Sequence, residues 1–439
     1  MAREEILGRD AGLAEKFGKT GCAYLGKVVS YPGGRYEEVG SVFLDITSPH
    51  MMLVVGKRGT GKSYTLGVIA EGFGLLEEEY RNKISLLVVD TMSVFHSLKR
   101  PNTNRGEVER MRDFGGIQPR GFPDWVKIFI PRLAVERLRE FGSDIHLDGI
   151  LSISLREVEA ADWLTLFGLE PTSPAASVLI RVVDRLTKAA TAYGFPDIYR
   201  GIDEEEVSPQ AKEALRGLFT MVEALGVFES VGTPVEKIVG PGQLSVLDIS
   251  YLGRIAGFDV RTLIVAILGR KLLAERTLYT TLEMQSEAGL IQTEISKDIT
   301  QRFPLVYMLI DEAHLFLPAH ATTLASDVLI DWIKLGRHPG LSLILATQEP
   351  SALHHSAIRQ ADLIIAHNVT SQDDVDALGK AKQTYMVGDQ NIQKLVSTME
   401  TKRGLAVIFD DKSRKMVMCR VRPRLSLHSG VDASALPRG

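Results

Sequence analysis

An apolar run, MMLVV, begins at residue 51, enters GKRGTGKS and continues as the helix-period stretch KSYTLGVIAEGFGLL. A buried strand, a glycine-rich loop and a helix in that order leave few folds open. Residues 56–63 match G-x-x-x-x-G-K-[ST], a pattern that has chemical meaning only where a loop leaves a strand and opens a helix. Glycines let successive backbone N–H groups converge on phosphate oxygens, and the helix N-terminus adds partial positive charge. Gly56, Lys57, Arg58, Gly59, Thr60, Gly61, Lys62, Ser63 and Tyr64 are therefore the expected nucleotide-binding residues. Lys62 is placed to reach the β- and γ-phosphates and Ser63 to ligate Mg²⁺, so ATP and Mg²⁺ are the expected cofactors. A chance glycine turn is the bland alternative, and the flanking strand and helix argue against it.

The rest of the chain carries the same rhythm. KISLLVVD and QLSVLDIS read as further buried strands, a long helix is expected near 259–289, and strands follow at 305–310, 341–346 and 362–367. Continuous apolar strands alternating with helices predict an α/β fold around a parallel sheet covered on both faces. GLAVIFD and KMVMCRVRP, joined by DKSR, read as a last strand pair. Residues 1–49 form a short β region, a partial barrel, and 50–95 the first part of the core. Residues 96–234 interrupt the rhythm as a mostly helical insertion, in which Val178, Val182, Leu186 and Ala189 share one helix face. The core resumes over 235–427, and 428–439 is a tail.

Composition bounds the function classes. The 439 residues have a formal net charge of −4, which excludes a uniformly basic nucleic-acid coat but not a local basic channel. Two cysteines, Cys22 and Cys419, are too few for a disulfide framework or a zinc cluster. The charged N-terminus lacks a signal-peptide core, and no run approaches the 18 or so apolar residues of a membrane span. A cytoplasmic protein with no membrane partner is the expectation.

LVYMLIDEAH, residues 305–314, is an apolar strand ending in Asp311 and Glu312. A carboxylate at the C-terminal end of such a strand can hold a Mg²⁺ shell, and the next can polarise an attacking water. Asp311 is thus the expected metal ligand beside Ser63, and Glu312 the expected catalytic base. The letters DEAH do not mark an RNA helicase of that name, because Lys62 and Asp311 stand too far apart and the arginine-rich final motif is missing. Thr347 and Gln348 end the following strand. A neutral amide there can bond a γ-phosphate or its attacking water without neutralising Lys62. Arg337, in the turn before that strand, has two readings. It is a surface charge, or it is an arginine finger that meets the γ-phosphate of a neighbouring subunit.

VVGKRGTGKSYT, LIDEAH, LGRHPGLSLILATQEPS and VRPRLSLHSG, with GQLSVLDIS before the long helix, together resemble the HerA branch of the HerA/FtsK superfamily of ring ATPases. The resemblance runs from residue 42 to 430 and is least clear in the insertion. It implies a RecA-like P-loop NTPase core, a hexamer, and pumping or processing of double-stranded DNA. Motif by motif it implies nucleotide and Mg²⁺ binding by Lys62 and Ser63, a catalytic acid pair at Asp311 and Glu312, a trans arginine at Arg337 and a polar sensor at Gln348. The P-loop begins at residue 56, so the N-terminal barrel of such proteins is expected to be shortened here. The turn DTMSVF keeps one acid, Asp90, of the acidic pair often found at that place. Some relatives are accessory ATPases of DNA-modification or antiphage systems, which makes a nuclease or DNA-modification protein a plausible partner.

Two segments are locally basic. Residues 96–140 hold ten Lys and Arg against six Asp and Glu, and residues 401–424 hold eight against two. The first, with Phe122 and Trp125, reads as a loop that grips phosphates, or else as a solvated loop. The functional expectation is a Mg²⁺-dependent ring ATPase moving along or remodelling double-stranded DNA. A slow nucleotide switch that gates a partner is the alternative from another class, and a ring ATPase acting on peptides is a third.

Overall fold

The computed structural model describes residues 3–30, 37–142, 147–255, 257–290, 303–381 and 404–429. Its centre is one sheet of 13 strands. Eight of them are parallel neighbours in the order Leu363–Ala366, Met51–Val55, Leu341–Thr347, Leu305–Ile310, Ile84–Asp90, Leu244–Asp248, Val126–Pro131 and Gly149–Leu151. Their side chains alternate between two apolar layers. Leu53, Val55, Leu87 and Val89 face one layer, and Met52, Val54, Leu86 and Val88 face the other. That two-sided burial is why these strands read as unbroken apolar runs.

The helix Lys62–Gly74 lies in the second layer through Leu66, Val68, Ile69 and Phe73. The long helix Val260–Glu287 and the helix Ser326–Leu335 lie in the first. Pro174–Ala189 and Pro209–Glu223 in the insertion each begin with a Ser-Pro pair, whose serine hydroxyl accepts the N–H three residues on. Of the helix face expected at 178–189, Val178 and Val182 are buried, Leu186 is half-buried and Ala189 is exposed. Trp163 packs among Phe167, Phe219 and Phe228 to close this helical group.

Two places differ from the sequence expectation. Val126–Pro131 and Gly149–Leu151, expected inside the helical insertion, extend the core sheet. Short strands separated by polar turns carry too weak a period to stand out beside the helices around them. The N-terminal strands Arg3–Leu7, Cys22–Ser30 and Glu37–Asp45 also continue the same sheet, through the antiparallel pairing of Cys22–Ser30 with Lys415–Val421. Among the described residues, no helix is long and apolar enough to cross a membrane.

A buried charge cluster ties the N-terminal strands to the core. His50 is fully enclosed, with Nδ1 2.7 Å from Asp362 Oδ2 and Nε2 3.7 Å from Asp45 Oδ2. Asp45 also accepts from Thr47 Oγ1 at 2.7 Å, Ser48 Oγ at 2.8 Å and Arg9 Nη2 at 3.2 Å. Burial works against a charged imidazole, but the bond to Asp362 and the nearby carboxylate of Asp45 outweigh it and raise the His50 pKa. A folded pKa above the unfolded value of about 6.5 means stability that is fully present below that pH. That stability is lost as pH rises through the folded pKa. His50→Gln is expected to cost about 3 kcal/mol at pH 6. The cost should shrink toward pH 9, and paired urea unfolding curves at the two pH values measure it. A pH-independent difference would show that the His50 pKa does not shift on folding.

Candidate nucleotide-hydrolysis site

The strand Met51–Val55 ends beside Leu341–Thr347, with Val55 opposite Thr347. Leu305–Ile310 lies on the far side of that strand. The loop at 56–61 therefore leaves the C-terminal edge of the sheet next to Thr347 and Asp311. Gly56 is dictated by crowding, since a Cβ there would stand 2.7 Å from His367 Cβ and 2.7 Å from Thr60 Oγ1. Thr60 closes the loop by donating its hydroxyl to Lys57 O at 2.7 Å. Lys57 N is anchored to Asn368 O at 2.9 Å. Gly61 has φ 117° and caps the helix that starts at Lys62. Lys57, Arg58 and Gly59 are exposed at the tip.

Ser63 Oγ donates to Asp311 Oδ2 at 2.8 Å. The hydroxyl and carboxylate expected to share a Mg²⁺ ion are thus already adjacent. Asp311 is buried, and burial raises its pKa despite the Ser63 bond. Glu312 is raised as well, by burial first and the charge of Asp311 second. Lys62 is buried and its pKa is lowered by that burial, with Glu312 and Asp311 acting the other way. Among the described residues its Nζ has one protein acceptor, Lys57 O at 3.4 Å. Glu312 Oε2 is buried without a hydrogen bond among the described residues. An enclosed ammonium, two buried carboxylates and an orphaned oxygen fit a triphosphate with its cation, because opposite charges would offset the burial and the orphaned oxygen would gain a partner. Glu312 also has φ 51° in the left-handed region, a cost for a residue with a Cβ that such a site can hold in place.

Thr347 and Gln348 stand beside these groups. Thr347 Oγ1 accepts from Glu349 N at 3.1 Å and lies 3.1 Å from His314 Nδ1. The same nitrogen is 3.5 Å from Glu312 Oε2. His314 thus joins the acid pair to the end of the neighbouring strand. Gln348 is half-buried at that strand end. Arg337 is elsewhere. It is exposed in the turn before Leu341, so the length of the strand Leu341–Thr347, roughly 20 Å, separates it from its own P-loop edge. Tyr64 is also turned away. Its hydroxyl donates to Glu107 Oε2 at 3.0 Å and accepts from Arg424 N at 2.6 Å, on the side of the helix that faces the C-terminal segment.

Three features escaped the sequence reading. His367 is fully buried beneath the P-loop. Its Nδ1 must donate to Leu405 O, 2.9 Å away, so its Nε2 accepts from Thr65 Oγ1 at 2.9 Å. Burial pushes its pKa down to about 4, and it stays neutral beside Lys62. Asp248 stands opposite Asp90 in strand register, which restores an acid pair from two different strands. Burial and Asp248 push Asp90 up to about 6. Asp248 is held low against its own burial by His96, whose Nε2 lies 2.7 Å away. The third is Glu71 in the P-loop helix. It is fully buried and receives Arg422 Nη1 at 2.7 Å and Ser426 Oγ at 2.6 Å. Arg424 Nε stands 3.6 Å from Glu71 Oε1.

These contacts correct the basic-segment expectation. Arg422 and Arg424 are about 1% exposed and face the core, while Lys415 and Arg420 pair with Glu5 and Glu38. Residues 401–403 lie outside the described residues. In the other segment Phe122 is buried and Trp125 packs on it, so neither is a free stacking platform. Arg100, Arg105, Arg110, Arg112 and Arg120 are exposed there.

A family model described as Helicase HerA, central domain, matches residues 24–252, just over half of the chain. The chain belongs to this HerA family. It is accordingly a P-loop ATPase of the HerA/FtsK type. The match stops before Asp311, so the second half of the HerA-type site rests on the geometry above. No curated protein gives a sequence match. Solved structures similar to this HerA-family chain include VirB4 of Thermoanaerobacter pseudethanolicus, at 14% identity and TM-score 0.48, with 92% of this chain and 96% of that one covered. The bacterial conjugative coupling protein TrwBdeltaN70 is 13% identical with TM-score 0.49, covering 92% and 91%. The genome packaging NTPase B204 of Sulfolobus turreted icosahedral virus 2, in complex with ATP-gammaS, is 14% identical with TM-score 0.35, covering 84% and 96%.

Proposed function

We propose that this HerA-family ATPase works as a ring, a hexamer by family resemblance, that hydrolyses ATP with Mg²⁺ to move along or remodel double-stranded DNA. The observation that carries the ring is the place of Arg337. It is exposed at the sheet edge opposite its own P-loop, and a second copy is needed to bring such a group to a γ-phosphate.

Ser63 and Asp311 would hold Mg²⁺, which when bound draws the phosphate oxygens together and offsets their charge. The loop N–H groups and the Lys62 ammonium bind the phosphates in an enclosure that weakens competition from water. Glu312 orients the attacking water and takes its proton, a role suited to a carboxylate with a raised pKa. Gln348 bonds the γ-phosphate or the water as a neutral group. His314, between Glu312 and Thr347, passes a change at the acids to that strand end. Arg337 from the neighbouring copy supplies positive charge where it develops in the transition state.

The five exposed arginines between Arg100 and Arg120 are the candidate contacts to a DNA backbone. Turnover is expected to rise severalfold with long duplex DNA, and the stimulation to fall steeply between about 50 and 200 mM salt. Steady-state ATPase assays across that range test it. A switch that gates a nuclease or DNA-modification partner is the second reading, favoured by the inward turn of Arg422, Arg424 and Phe122. Equal turnover with and without DNA would select it.

A further inference from the structure

Arg276 lies in the long helix Val260–Glu287 and is 3% exposed. Its guanidinium donates from Nε to Pro339 O at 2.6 Å and from Nη1 to Phe303 O at 2.7 Å. Nη2 donates to Thr280 Oγ1 at 3.3 Å. All three acceptors are neutral, and the Glu283 carboxylate acts on the charge without outweighing its burial. Burying a cation against neutral groups is costly, and an apolar side chain would fill the same volume at less expense. The cation must therefore hold something that an apolar group would not.

What it holds is the turn that carries Arg337. Pro339 O belongs to that turn, and Phe303 O belongs to the chain entering the strand Leu305–Ile310. Leu341 N returns to Gly336 O at 2.8 Å, and Val306 N bonds Gly340 O at 3.1 Å. Gly340 has φ +78°, and a Cβ there would stand 2.3 Å from Leu305 Cδ2 and 3.2 Å from Arg276 Nη2. The turn is thus pinned from below by a fork with two fixed directions. Arg337 projects from it without a side-chain bond among the described residues, so only the backbone sets where its guanidinium points.

We infer that Arg276 is a positioning residue for hydrolysis, which fixes the Arg337 turn so that the finger meets the neighbouring site. The inference rests on the ring reading above. A displacement of about 1 Å at a transition-state contact can cost up to a hundredfold in rate. A turn free of its two carbonyl anchors would allow such a displacement. Lysine is no substitute, because one ammonium cannot reproduce the fork that spans Pro339 and Phe303.

The test is a double-mutant cycle on the assembled protein with ATP and Mg²⁺, with oligomer size, nucleotide affinity and Tm measured for each variant. Arg276→Gln and Arg276→Lys should each lower kcat about tenfold with KM for ATP within about twofold. Arg337→Ala should lower kcat about a thousandfold. Combining Arg276→Gln with Arg337→Ala should cost less than about twofold more than Arg337→Ala alone, since a residue that acts through Arg337 has nothing left to position. If the glutamine variant fails to fold, Arg276→Lys keeps a cation in the same space and carries the same comparison. A full tenfold loss in the double variant, or an unchanged kcat in both Arg276 single variants, overturns the inference. An unchanged kcat in Arg337→Ala sinks the ring reading itself, and is seen without reference to Arg276.

Discussion

Lys62→Ala is expected to lower ATP turnover by roughly a thousandfold or more, because it removes the preorganised charge that meets the β- and γ-phosphates. Lys62 is enclosed, and among the described residues its Nζ has one weak acceptor, Lys57 O at 3.4 Å. Its charge is therefore not committed to the protein. Burial makes that charge costly and lowers its pKa, so the alanine variant should keep its Tm or gain slightly. Turnover and thermal unfolding measured on one preparation check both halves. A large loss of stability would show that Lys62 holds the loop together, and a variant with near-normal turnover would remove the loop from catalysis.

Arg337→Ala should lose turnover on a similar scale while binding nucleotide normally, since its own P-loop lies at the other edge of the sheet. The stronger test is mixing. A Lys62→Ala subunit has a dead site but an intact arginine, and an Arg337→Ala subunit has the reverse. In rings assembled at random from equal parts, roughly one quarter of the sites combine an intact P-loop with an intact neighbouring arginine. Mixed rings should recover activity toward that fraction of normal, whereas each variant alone stays inactive. No recovery in intact mixed rings would count decisively against action in trans.

Much of the fold was legible. The helix expected near 259–289 is Val260–Glu287, and the strand expected at 341–346 is Leu341–Thr347. Parallel strands buried on both faces leave long apolar runs, and those are hard to mistake. The site was legible in part, because Gly56–Ser63 and Asp311 carry their meaning in local order. His367 was not, since a single histidine after a short strand has no pattern around it. Asp248 was not either, because its pairing with Asp90 depends on which strands are neighbours.

The basic segment at 401–424 faces solvent less than its composition suggests, for a related reason. Eight cations against two acids look like a charged surface when counted along the chain. Their partner Glu71 lies some 350 positions away, and it draws Arg422 and Arg424 inward.

The sequence by itself determined the chemistry on offer: a phosphate-binding loop on a strand–helix joint, an acid pair ending an apolar strand, and an arginine and an amide bracketing another. Each depends on residues close in the chain, where spacing sets direction. Tertiary structure decided which of these groups share a site. Ser63 meets Asp311 at 2.8 Å, while Arg337 stands at the far end of the strand that Gln348 follows. The order of strands in a sheet is chosen by the packing of both its faces at once, and no local stretch of sequence records that choice.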